Sequence, residues 1–178
     1  LSPQRMYSHL FVTSLFLVFF AQPSKSPLLS CVGAIVGFAL FWVVYRKIEK
    51  KKTAFLLSTF WFFCIEIGWQ SWLCSTKYQV YCMPIVYVGL CLFFALQFSA
   101  VSLFLYKRTI GLREIFLIPS LWALMEMSRI YILSGHLWSP VGLAFCGNHY
   151  SMQLASLGGV YLLSFWVMLV NVCFLAFL

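Results

Sequence analysis

The stretch that decides the fold is Leu28-Leu-Ser-Cys31-Val-Gly-Ala-Ile-Val-Gly-Phe-Ala-Leu-Phe-Trp42-Val-Val-Tyr45, followed at once by Arg46-Lys47-Ile-Glu49-Lys50-Lys51-Lys52. An uncharged run of this length matches the roughly 20 residues that one helical bilayer crossing needs. The abrupt basic cluster marks the point where the chain leaves the apolar phase, on the side of the membrane that retains Lys and Arg. Working outward, comparable runs fall at 6–21, 54–73, 85–106, 115–133 and 157–178. The pattern predicts an all-α fold, a polytopic membrane bundle of about six transmembrane helices within one domain, 1–178.

Composition supports the same solvent. Of the 178 residues, 63% are hydrophobic and 9% are charged, whereas a soluble domain is about half apolar and about a quarter charged. The formal charge of +8 does not point to nucleic acid, because the cations lie in short connections between apolar runs rather than along one soluble face. Arg5, Arg46, Lys47, Lys50, Lys51, Lys52, Lys107, Arg108 and Arg113 share one side, against Lys25 and Lys77 on the other. That asymmetry predicts a cytoplasmic N-terminus, with the third connection, Cys74 to Pro84, and the long uncharged fifth, Ser134 to Ser156, facing outward. Arg5 ahead of the first run raises the alternative of a signal peptide. Phe19-Phe20-Ala21 lacks the small residue expected three positions before a cleavage site, so an uncleaved helix turning at Gln22-Pro23-Ser24 is the expectation.

The chain contains no Asp, and Glu49 and Glu114 belong to basic connections. This removes a Ser-His-Asp triad and leaves little from which to build a carboxylate metal site. Charge at membrane depth is confined to Glu66, Glu126 and Arg129. Glu126 and Arg129, three apart, share a helix face and are expected to pair, either locking helices together or lining a polar cavity for a lipid or polar head. Trp69, Trp72 and Trp138 fall at or beyond outward helix ends, where an aromatic belt is the simpler reading. His136, Cys146 and His149 lack a fourth ligand for a metal site. Cys74 and Cys82 are the one pair placed for a disulfide in an oxidising compartment.

Pro119-Ser-Leu-Trp122-Ala-Leu-Met-Glu126-Met-Ser-Arg129, then Gly135 and Trp138, resembles the membrane domain of bacterial apolipoprotein N-acyltransferases. Gln153-Leu-Ala-Ser-Leu-Gly158-Gly159-Val-Tyr161, with Ser164 and Asn171, is similar to the next helix of that family. Phe20-Ala21-Gln22-Pro23, Trp72 and Met83-Pro84 resemble earlier landmarks more loosely. Tyr81, Cys82 and Leu137 depart from the family pattern, replacing a Gly pair and a Pro.

The resemblance implies transfer of a fatty acyl chain from a membrane phospholipid to the α-amino group of the N-terminal diacylglyceryl-cysteine of a lipoprotein. It implies a bacterial inner (cytoplasmic) membrane, multi-pass, with the active face outward, and no cofactor or nucleic acid. It places catalysis in a nitrilase-like domain downstream of the helices and absent before Leu178, where the sequence ends inside an apolar run. No catalytic residue is therefore expected in this chain, which alone should be inactive, and Cys146 is a poor candidate nucleophile. Trp138 is the expected lining of a lateral lipid entrance, with Trp72, Glu126 and Arg129 in support. The alternative is a small transporter or channel whose polar pathway is lined by Glu66, Glu126 and Arg129. It calls for inverted repeats or matched broken helices, and the sequence contains neither.

Overall fold

The computed structural model describes residues 3–23, 26–75, 81–133, 135 and 138–177. Lys25, Lys77 and His136, used above for topology and for a metal site, lie outside them. Six α-helices form among the described residues, with no strand: α1 Pro3–Phe19, α2 Pro27–Tyr45, α3 Lys51–Trp69, α4 Met83–Ser102, α5 Leu112–Ile132 and α6 His149–Phe177. Prolines in the first turn of α2 and α4, Pro27 and Pro84, supply a backbone already set for helix where no N–H bond is needed. At the start of α5 the Glu114 carboxylate accepts the Gly111 N–H at 3.0 Å. Short 3₁₀ turns extend α3 at Ser71–Cys74 and α4 at Leu103–Leu105, and a third, Val141–Phe145, precedes α6.

Four helices, α2, α4 with its extension, α5 and α6, are long and apolar enough to cross a membrane. The other two are marginal by that measure. Helix α1 has 17 residues, and α3 carries Lys51 and Lys52 at its start and Glu66 near its end. Both still belong to the bundle. Consecutive helices pack as antiparallel pairs, α1 with α2, α3 with α4 and α5 with α6, and α2 also packs on α6. Gly33 and Gly37 let α1 approach α2: a Cβ on Gly33 would sit 2.1 Å from the Leu17 carbonyl oxygen, and one on Gly37 2.4 Å from Val18 Cγ2. Small residues four apart serve this purpose where apolar surface alone provides no drive between helices.

Phe38, Phe41 and Trp42 of α2, Trp61 and Phe62 of α3, Phe98 of α4 and Trp122 of α5 form the buried centre. Phe41 stacks on Trp61 with centroids 4.2 Å apart, and Phe62 on Phe98 at 4.7 Å. The indole N–H groups buried there are satisfied, Trp42 donating to Ser102 Oγ and Trp61 to Ser14 Oγ. Asn171 joins α6 to α2: its Oδ1 accepts the Ala39 N–H at 2.8 Å and its Nδ2 donates to the Ala34 carbonyl at 2.6 Å. The outer faces expose Val12, Phe16, Phe60, Leu92, Leu124 and Phe174, a surface suited to hydrocarbon rather than to water.

One end of the bundle collects the connections that carry Arg46 to Lys52 and Lys107 to Arg113. The other end collects the tips of α1, α3 and α5 and the starts of α2, α4 and α6. There the chain after α5 differs from the simple connection expected over Ser134 to Ser156: helix begins at His149 and breaks at Gly158–Gly159, where Gly159 takes φ 65° and ψ −165°. A side chain is strained in that backbone. The break separates an exposed stretch bearing Tyr150, Met152 and Leu157 from the rest of α6, one face of which, with Val167, Met168 and Val172, is buried.

Candidate functional site

The end opposite the basic connections has an aromatic mouth, with buried polar side chains beneath it. A cavity of about 430 Å³ opens there, lined by Phe19, Gln22, Trp69, Trp72, Trp138 and Ser139 among others. Trp72 and Trp138 meet with ring centroids 4.8 Å apart and a 46° tilt. Trp69 is turned by a bond from its indole N–H to the Phe19 carbonyl at 2.9 Å, tying α3 to the end of α1. Trp138 remains 57% exposed at the rim.

Trp138 is held there by its neighbours. Ser139 has φ 58°, a left-handed conformation uncommon for a residue with a side chain. Two buried side chains hold the backbone around it. Gln70, just past α3, donates from Nε2 to Ser139 Oγ at 2.8 Å. Glu126, from α5, accepts the Val141 N–H at 2.9 Å through the same Oε1 that receives the Trp122 indole N–H at 2.8 Å. One residue further on, the Gly142 N–H donates to Ser164 Oγ of α6 at 2.9 Å. The segment from Trp138 to Gly142 is thus fastened to α3, α5 and α6 in turn.

Below the mouth lie the intramembrane charges. Glu66 is fully buried, and Glu126 and Arg129 are each 2% exposed. Glu66 Oε2 receives Gln70 Nε2 at 3.3 Å. Arg129 turns inward: its Nε donates to Gln97 Oε1 of α4 at 3.1 Å, and its guanidinium lies 4.2 Å from the Phe94 ring centroid. The expected pairing of Glu126 with Arg129 is not direct. Helical spacing brings their backbones to one face, but the Glu126 carboxylate is engaged by Trp122 and Val141 and the Arg129 Nε by Gln97. Glu66 Oε1, Glu126 Oε2 and Arg129 Nη2 are left buried without a hydrogen-bond partner. Such atoms are costly.

The remaining candidates separate from this site. Cys74 and Cys82 are exposed and unbridged. Cys146 lies past the Val141–Phe145 turn, where desolvation raises its thiol pKa, the opposite of what an activated nucleophile needs. Among the described residues no three His, Cys, Asp or Glu side chains converge on a common point. Gln70, Gln97 and Ser139 join the site without having stood out in the sequence. Gln70 comes four residues after Glu66, and Gln97 is the strongly polar residue of an otherwise apolar run; both positions carried a signal.

A polytopic helical membrane domain with an aromatic-lined cavity at the end opposite its basic connections is the class that fold and site define. Residues 10–173 match the family model described as the apolipoprotein N-acyltransferase N-terminal domain, and the chain belongs to that family. It is 32% identical to the apolipoprotein N-acyltransferase of Chlamydia pneumoniae over 171 residues, covering 92% of this chain and 32% of that protein. The enzyme of the same name from Chlamydia caviae is 30% identical over 156 residues, 84% of this chain and 29% of that protein. The one from Chlamydia muridarum is 29% identical over 153 residues, 80% and 28%. The chain therefore spans about a third of the length of the curated relatives it matches. No solved structure matches it.

Proposed function

We propose that this chain is the membrane platform of an apolipoprotein N-acyltransferase, which moves a fatty acyl chain from phospholipid to the α-amino group of a lipoprotein's diacylglyceryl-cysteine. The platform sits in a bacterial inner membrane with its N-terminus cytoplasmic and its aromatic end outward. It gathers the phospholipid donor and the lipoprotein acceptor at that end, and a nitrilase-like domain outside this chain performs the chemistry. Trp138 and Trp72 line the entrance, Glu126 holds the segment that carries Trp138, and Arg129 with Glu66 supplies the polar floor.

The observation that carries this reading is the fastening of the segment just after an exposed Trp, residues 139–142, by buried side chains of α5, α6 and the residue that follows α3. A belt residue that merely marks the interface needs no such scaffold. The transporter reading is weaker. One turn toward the basic end from Glu66 and Glu126 stand Phe62 and Trp122, packed with Phe98, so the charged residues rest on an apolar plug rather than on a continuing pathway.

The test is acyl transfer by the complete enzyme carrying Trp138→Ala, with Trp138→Phe as its control. Losing an aromatic anchor at the centre of a contact costs about 2 kcal/mol, a rate loss of about thirtyfold. Phe should recover most of it at unchanged helical content. Wild-type turnover in Trp138→Ala would remove Trp138 from the entrance.

A further inference from the structure

The basic end holds a second cavity, of about 460 Å³, which the acyl-transfer reading does not use. Its wall includes Val43, Arg46 and Lys47 at the end of α2, Lys107 and Arg108 between α4 and α5, and Leu175 near the end of α6. Four cations line it, and no carboxylate does. The acids closest in sequence, Glu49 and Glu114, are outside its wall. Glu114 caps Gly111 through its carboxylate, with Arg113 and Arg108 as weaker electrostatic partners.

Neutralising the carbonyl ends of α2 and α4 is the ordinary use of such cations. Arg46 fits it in part, donating from Nη2 to the Arg108 carbonyl at 3.0 Å, and this bond also pins the two basic connections together. Lys47 and Arg108 have no side-chain hydrogen bond among the described residues, and Lys107 has only the Tyr106 ring, 5.7 Å from its Nζ. Lys107 also holds a left-handed backbone at φ 52°, strain that a connection serving only as a tether has no need of.

Depth identifies the ligand. Val43 and Leu175 belong to helices long and apolar enough to span the bilayer, so the cavity lies where apolar wall gives way to charge, at headgroup level. Basic pockets between membrane helices are suited to phosphate-bearing lipid headgroups. We propose that this cavity binds the phosphate of an anionic phospholipid in the leaflet on the basic side, a site separate from lipid handling at Trp138.

The experiment is native mass spectrometry of the intact protein released from nanodiscs of phosphatidylcholine containing phosphatidylglycerol at about one lipid in five, counting which lipid is retained. One phosphatidylglycerol should be held in preference to phosphatidylcholine. Each cation near an anionic headgroup is worth about a factor of five, so Lys47→Ala with Lys107→Ala should lower that preference about thirtyfold. Lys50→Ala with Lys51→Ala, which removes equal charge outside the cavity, should leave it intact. Equal retention of the two lipids by the wild type would overturn the site. An equal loss in both double variants would reduce it to diffuse surface charge, and displacement of the lipid by millimolar inorganic phosphate would make it a free-anion site. Acyl transfer does not enter these measurements, so their failure leaves the proposed function standing.

Discussion

Replacing Glu126 tests whether its buried carboxylate holds the entrance as an acceptor or as a charge. In Glu126→Ala two buried donors, the Trp122 indole and the Val141 amide, lose their shared acceptor. Each buried donor left unmatched costs about 1–3 kcal/mol, so the expected loss of stability is about 3–5 kcal/mol once the small cavity is included. Glu126→Gln keeps a carbonyl oxygen of the same reach and should lose only about 1–2 kcal/mol, from removal of the charge opposite Arg129. Unfolding in mixed micelles followed by circular dichroism measures the totals. Amide exchange of a peptide spanning residues 138–145 shows where the loss falls, with the Val141 N–H expected to lose protection selectively in the Ala variant. If Gln proves as damaging as Ala, charge rather than acceptance is what matters. If neither variant changes exchange in that peptide, Glu126 does not fasten the segment and the description of the entrance fails.

Two further outcomes follow from the same geometry. Asn171→Leu strips the acceptor from the Ala39 N–H inside α2 and the donor from the Ala34 carbonyl; it should cost about 2–4 kcal/mol in the same unfolding measurement, and wild-type stability would show that α2 closes its own bonds there. Cys74, Cys82 and Cys146 are exposed at the aromatic end, so a membrane-impermeant maleimide applied to intact inner-membrane spheroplasts should label them but spare a cysteine placed by Lys50→Cys; the reverse pattern would invert the proposed orientation.

The helices were legible because their signal is one-dimensional: uncharged runs of bilayer length, ended by Pro on one side and basic clusters on the other. That signal shows the run at 6–21 to be the shortest, as α1 is, but it does not set α3 apart although that helix begins on Lys51 and Lys52. Glu126 and Arg129 could be placed in the interior because a charge inside an apolar run is too costly to leave against lipid. Their partners were not legible. Spacing of three fixes a shared face but not which way a long side chain turns, and the Val141 amide and Gln97 come to Glu126 and Arg129 only through tertiary packing. The break in α6 was written in plain view as Gly158–Gly159, yet adjacent glycines in an apolar run are also compatible with close helix packing, so sequence alone did not select between a hinge and an interface.

The energetic character of the charged interior bears on why it exists. Glu66, Glu126 and Arg129 leave three polar atoms unpaired, each at a cost of about 1–3 kcal/mol, where well-packed apolar side chains of similar volume would often be as stable or more so. Stability alone does not account for such an arrangement. What the groups do accomplish is visible one layer outward: Glu126 secures Val141, Gln70 bridges Glu66 to Ser139, and between these two anchors Trp138 is held at the rim beside a strained residue. A domain whose work were only to span the bilayer would gain by losing them. A domain that must present one aromatic side chain at a fixed point of the rim has a use for Glu66 and Glu126, and on that ground we propose that these two carboxylates are positioning groups for the segment that carries Trp138.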